Sequence, residues 1–151
     1  LKTIILTAVL VTGLYAGHAD TLKQQHEYIR DNSGIVTDLT TGAQWQDRYV
    51  ENNGSIENVT WEEAQRYCSA LTLGGYSDWR TPTVDELIGI TDHEHNDPAI
   101  RSIFKHTVSS AYWSSLESDS NSSVAWFVYF YNGFANWKAK EGDAYVRCIR
   151  L

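Results

Sequence analysis

Apolar residues recur at two periods along this chain, and the switches between them divide it. Over residues 60–71, Trp61, Ala64, Cys68 and Leu71 are spaced as one stripe of an amphipathic helix. Thr60 opens that stretch with Glu63 three positions on, a capping box in which the hydroxyl accepts an orphan amide and the carboxylate reaches back. Gly74 and Gly75 are expected to stop the helix, since glycine readily takes the left-handed conformation at a helix end. Thr83 and Glu86 repeat the capping box directly after Pro82, and Val84, Leu87 and Ile88 supply a second apolar stripe.

The remainder reads mostly as strand. Tyr28-Ile29 and Ile35-Val36 flank the turn sequence Asp31-Asn32-Ser33-Gly34, and Thr41-Gly42 turns again before Ala43-Gln44-Trp45. Residues 48–59 are polar and contain Asn52-Asn53-Gly54, which predicts a surface loop. Asn96-Asp97-Pro98 starts a turn or short helix with Ile100, Ile103 and Phe104 as its apolar positions. Ala111-Tyr112-Trp113 predicts a brief strand, and the serine-rich residues 116–123 an exposed loop. Residues 124–131, VAWFVYFY, form the strongest strand pattern and suit a strand covered on both faces. Asn132-Gly133 is a hairpin signal, with residues 134–137 returning and 138–143 a polar loop. Residues 144–150 alternate: Ala144, Val146 and Cys148 face one way and Tyr145, Arg147 and Ile149 the other.

The two ends add a compartment. Lys2, an apolar run over residues 4–16 and small residues at Gly17 and Ala19 make a secretory signal pattern covering residues 1–19. That run is shorter than the ~20 residues a membrane-spanning helix needs. Cleavage before Asp20 leaves residues 20–151, enough for one domain around one core. An exported product, periplasmic, cell-surface or secreted, is the expectation. The only two cysteines, Cys68 and Cys148, then favour a disulfide, since two cysteines so far apart cannot make a metal site alone. A formal charge of −7 argues against nucleic acid as a partner, and no later segment is apolar enough to span a membrane.

The motifs TGAQWQ, TWEEAQRYCSALTLGGYSDWRTPTVDEL, PAI, YWSS, AWFVYFYNG and YVRCIR, in that order, resemble the Lcl C-terminal domain family, named for the end domain of a collagen-like bacterial adhesin. The resemblance runs from Tyr28 to Arg150, with departures at Thr81 and Ile149. A cysteine-bearing WxxAxxxC helix with a partner cysteine in the last strand also resembles C-type-lectin-like domains. Together these imply an α+β, C-type-lectin-like fold: two helices packed on a small twisted antiparallel sheet, with a long-range Cys68–Cys148 disulfide. The family resemblance implies an exported module with adhesive or ligand-binding roles, sulfated glycans being bound by the namesake's domain. It carries over no catalytic residues.

Site chemistry must then be read from the residues. Phe134, Asn136, Trp137, Lys138 and Lys140 combine stacking, hydrogen bonding and positive charge beside the hairpin, which suits a glycan or anion; the competing reading is an edge strand with lysines for solubility. Asp92-His93-Glu94-His95-Asn96-Asp97 offers His93 and His95 as metal ligands, but no third or fourth ligand can be named, and a solvated polar loop is the simpler reading. Calcium is conceivable only by analogy with C-type lectins, whose Glu-Pro-Asn and Trp-Asn-Asp patterns are absent. Asp78-Trp79-Arg80 reads as a core tryptophan between two locally satisfied charges rather than a binding triad.

Three function classes follow. A module binding glycans or envelope and surface proteins comes first. An enzyme related to formylglycine-generating oxidases comes second, suggested by DWRTPTVDE but in need of reactive cysteines. A structural subunit of an envelope assembly comes third. No Ser-His-Asp spacing or carboxylate dyad stands out.

Overall fold

The computed structural model describes residues 27–151, so the signal-peptide expectation for residues 1–19 lies outside the described residues. The N-terminal meander forms as its turns predict. Strands β1 (Tyr28–Arg30), β2 (Ile35–Asp38) and β3 (Gln44–Gln46) pair antiparallel, and the terminal strand β9 (Ile149–Arg150) completes a four-stranded sheet beside β3.

A second, five-stranded sheet has the order β4 (Asn58–Val59), β8 (Ala144–Tyr145), β5 (Ala111–Ser118), β6 (Asn121–Tyr129) and β7 (Phe134–Ala139). Its pairings are antiparallel except β5 with β8, which meet in parallel at Tyr112 and Tyr145. The expectation of one small antiparallel sheet is therefore corrected to two sheets with one parallel contact. The cause lies in residues 144–150. The chain leaves the larger sheet after Tyr145 and joins the smaller one at Ile149, so the segment expected as one strand is split between two sheets.

Its alternation nevertheless holds. Ala144, Val146 and Cys148 enter one core cluster with Ala64, Cys68, Trp79 and Trp113; Tyr145 and Ile149 enter the other with Leu87, Phe104, Tyr112 and Val128. Both faces of this segment are core. The Cys68–Cys148 disulfide forms, with Cα atoms 5.4 Å apart, and ties helix α1 (Trp61–Ala70) to the link between β8 and β9.

Both helices start where their capping boxes predict. The Thr60 and Thr83 amides donate to the carboxylates of Glu63 and Glu86 at 3.1 and 2.7 Å. Their ends differ from expectation. Helix α1 stops at Ala70, before the glycine pair, and Gly74-Gly75 instead make a tight turn that brings Leu73 and Tyr76 together in an isolated bridge. Helix α2 (Val84–Gly89) is short; it buries Leu87 and leaves Ile88 exposed.

The serine-rich residues 116–123, expected as a loop, continue β5 and β6 into a hairpin that turns at Asp119-Ser120. Cross-strand pairs at Glu117–Ala125 and Ser118–Asn121 hold it together with local side-chain bonds, the Leu116 amide donating to Ser114 Oγ and the Ser123 amide to Asn121 Oδ1. Much of this extension is solvent-exposed, so no apolar alternation marks it. Among residues 124–131, Ala125, Val128 and Phe130 are buried, while Tyr129 and Tyr131 are exposed. The strand is thus covered on both faces only part of the way along. No helix among the described residues is long and apolar enough to cross a membrane.

Candidate functional site

The β6–β7 hairpin decides where the predicted binding residues go. Its register pairs Tyr129 with Phe134, Phe127 with Asn136, Trp126 with Trp137 and Ala125 with Lys138. Side chains alternate across a strand, so Phe134, Asn136 and Lys138 share the face of Phe127 and Tyr129. Trp137 lies on the opposite face with Trp126 and Val128. The five residues read as one cluster therefore divide between two surfaces.

Within them, the aromatics and the lysines differ in availability. Phe134 and Trp137 are 65% and 56% exposed. Lys138 instead folds back, its Nζ donating to the Asp143 carbonyl at 2.6 Å and lying 5.7 Å from the Trp113 ring. Lys140 Nζ sits 3.0 Å from Glu117 and 4.3 Å from the centre of the Trp61 ring. Both cations are engaged within the protein, which weakens the anion-binding part of the sequence reading.

Two further aromatics belong to this end. Tyr129 and Tyr131 are 39% and 49% exposed, and their rings lie 5.8 Å apart. Period-two alternation beyond Val128 was the signal for them; the apolar character of VAWFVYFY hid it by suggesting full burial. Tyr129 sits directly opposite Phe134, so the hairpin end gathers Tyr129, Tyr131 and Phe134, with Trp137 on the reverse side.

The histidine loop comes to the same place, which sequence spacing could not show. Asp97 N–H donates to the Tyr131 carbonyl at 3.0 Å and Ala99 N–H to Phe130 at 2.6 Å, docking residues 97–99 on the hairpin turn. The His93 ring lies 6.0 Å from that of Phe134. Asp92 accepts from the Glu94 amide at 3.0 Å and contacts His95 Nδ1 at 3.0 Å. The Glu94 amide, with help from His95, holds the Asp92 carboxyl below its ordinary pKa. Among the described residues no group of three or more His, Cys, Asp and Glu side chains is placed to hold a metal ion.

The Asp78-Trp79-Arg80 triad resolves as structure. Trp79 is buried, Asp78 pairs with Arg150 at 2.6 Å, and Arg80 grips Glu86 through two hydrogen bonds of 2.8 and 2.6 Å. Both cysteines are consumed by the bridge, so chemistry needing a free thiol finds none in the folded protein.

A mixed α+β fold of two sheets and two helices, closed by one disulfide and carrying exposed aromatics at one hairpin end, is the class defined so far. Residues 34–150 match the Lcl C-terminal domain, and the chain belongs to that family, an adhesin-associated domain. No curated protein matches the chain.

Proposed function

We propose that this protein is an exported ligand-binding module of the adhesin type, recognising a glycan or a surface protein through the β6–β7 end of the larger sheet. The observation that carries the reading is the concentration of exposed aromatic rings there: Tyr129, Tyr131, Phe134 and Trp137 flank one hairpin. Large exposed aromatics are costly to leave in water and are enriched where proteins bind ligands. The scaffold behind them is braced, since the bridge ties α1 to the end of the chain. That helix-to-terminus bridge and the order of elements also support a C-type-lectin-like fold. Family membership supports a surface setting, and a disulfide suits an oxidising compartment.

Glycan and surface-protein arrays, run with and without calcium on the wild type and on Phe134→Ala and Trp137→Ala, test this reading. Binding that at least one variant abolishes, with an unchanged melting temperature, supports it. Binding to no ligand by the wild type, or wild-type binding retained by both variants, overturns it. The calcium arm reports whether an ion takes part.

A further inference from the structure

We infer that the recess between the 92–96 loop and the β6–β7 turn is a binding site for an uncharged pyranose sugar ring, with Phe134 as its stacking surface. The inference rests on the ligand-binding reading above and deepens it by naming the site and the ligand class. His93, His95, Asn96, Asn132 and Phe134 line a shallow recess of about 520 Å³. That lies within the roughly 300–1,000 Å³ typical of small-ligand pockets.

The recess is built rather than incidental. The backbone bonds from Asp97 and Ala99 to Tyr131 and Phe130 lock the loop onto the turn. Asn132 Oδ1 accepts from the Phe134 amide at 3.2 Å, fixing the carboxamide, and Asp92 fixes the His95 ring. Gly133 has φ +80°, and a Cβ there would lie 2.9 Å from His93 Cε1. A side chain there would push the His93 ring out of its present place, and the positive φ itself favours glycine.

The lining chemistry suits a sugar. A pyranose has one face rich in C–H groups and a rim of hydroxyls that both donate and accept. The exposed Phe134 ring offers an apolar surface to the first. Two carboxamides and two imidazoles offer donors and acceptors to the second.

Charge selects the class. Asp92, Glu94 and Asp97 lie in the loop that forms one wall, Arg101 acts on Asp92 from outside it, and among the described residues no lysine or arginine lines the recess. Lys138 and Lys140, the nearest cations along the hairpin strand, are held by Asp143 and Glu117. A sulfate or carboxylate would face these carboxylates with no lysine or arginine among the described lining residues to pair with. An uncharged ring meets no such penalty.

The experiment is an NMR titration of the protein at slightly alkaline pH. Its probes are the methyl glycosides of glucose, galactose, mannose and N-acetylglucosamine, with a sulfated glucose and a heparin-derived oligosaccharide as charged arms. At least one neutral glycoside is expected to shift the His93, His95 and Phe134 ring resonances. Phe134→Ala and Asn96→Ala, both at exposed positions, are expected to weaken it about tenfold or more, the size of one or two lost polar or stacking contacts. The sulfated glucose is expected to bind more weakly than its neutral parent. Tighter binding of the sulfated sugar at these rings overturns the ligand class. Shifts confined to Trp126 and Trp137, or ligands found only among proteins on the arrays, overturn the site while leaving the broader binding reading intact. Failure of every sugar and every arrayed ligand overturns both.

Discussion

Arg147 Nη1 lies 3.2 Å from Asp47 Oδ1, and both side chains are fully buried. Asp47 also accepts from Arg30 Nε at 2.6 Å and from the amides of Lys105 and His106 at 2.9 and 3.0 Å. The Arg147 guanidinium lies 4.5 Å from the Phe104 ring and bonds the Gln46 carbonyl at 3.1 Å and the Thr107 hydroxyl at 2.9 Å. The pair thereby pins the 104–107 segment between β3 and the approach to β9. Asp47→Asn should destabilise the protein by about 3–5 kcal/mol, because it leaves a buried cation uncompensated. Urea unfolding with Arg147→Met as the second arm of a double-mutant cycle checks it: the double variant should lose less than the sum of the singles. Strict additivity would mean that the two charges stabilise separate parts of the fold.

The disulfide closes a sequence separation of 80 residues. Chain entropy alone gives such a bridge about 4.5 kcal/mol. Cys68→Ser and Cys148→Ser should each cost several kcal/mol, and the double variant should be no worse than either. Thermal unfolding of all three proteins decides it; two losses that add would separate the cysteines.

Glu86 ties Arg80 and Thr83 to the start of the second helix. It accepts from both Arg80 guanidinium nitrogens and from the Thr83 amide, and the Arg80 hydrogen bonds chiefly hold its pKa below the ordinary value against partial desolvation. A carboxylate whose folded pKa is depressed stabilises the fold above its unfolded pKa, and that contribution fades as pH falls through the folded one. Stability should therefore drop below about pH 4.3, the unfolded Glu value. Glu86→Gln should be less stable than wild type at neutral pH, with the difference shrinking in acid. A pH series of denaturation midpoints measures this; a constant gap across the series would remove Glu86 from the acid response.

The exposed tryptophan and the engaged lysine should respond differently. Trp137→Ala should leave the melting temperature almost unchanged, since the ring is more than half exposed. Lys140→Ala gives up the Glu117 ion pair and the Trp61 ring contact and should cost about 1 kcal/mol. Differential scanning calorimetry of the two variants separates them. A large loss in Trp137→Ala would show that its ring is part of the core.

Local rules written in the chain survive folding because their partners are close in sequence. The capping boxes at Thr60 and Thr83, the turns at Gly34 and Gly42, the Trp61-Ala64-Cys68-Leu71 stripe and the alternation of residues 144–150 depend on neighbours a few positions away, and all appear in the structure. The cysteine pairing was also legible, because the chain holds only two. Other features depended on distant partners and could not be read in advance. Residues 116–123 became strand because cross-strand pairs at Glu117 and Ser118, with Ser114 and Asn121 side chains taking two of the amides, hold the backbone without an apolar face. The terminal segment divided between sheets because β3 and β5 each had an open edge to offer. The same logic separates the candidate site residues. Register put Trp137 across the sheet from Phe134, cross-chain partners engaged Lys138 and Lys140, and docking of the 97–99 segment carried His93 and His95 to the hairpin. The sequence determined which side chains were available; long-range pairing decided which of them share a surface, because strand register and loop docking are set by contacts tens of residues apart.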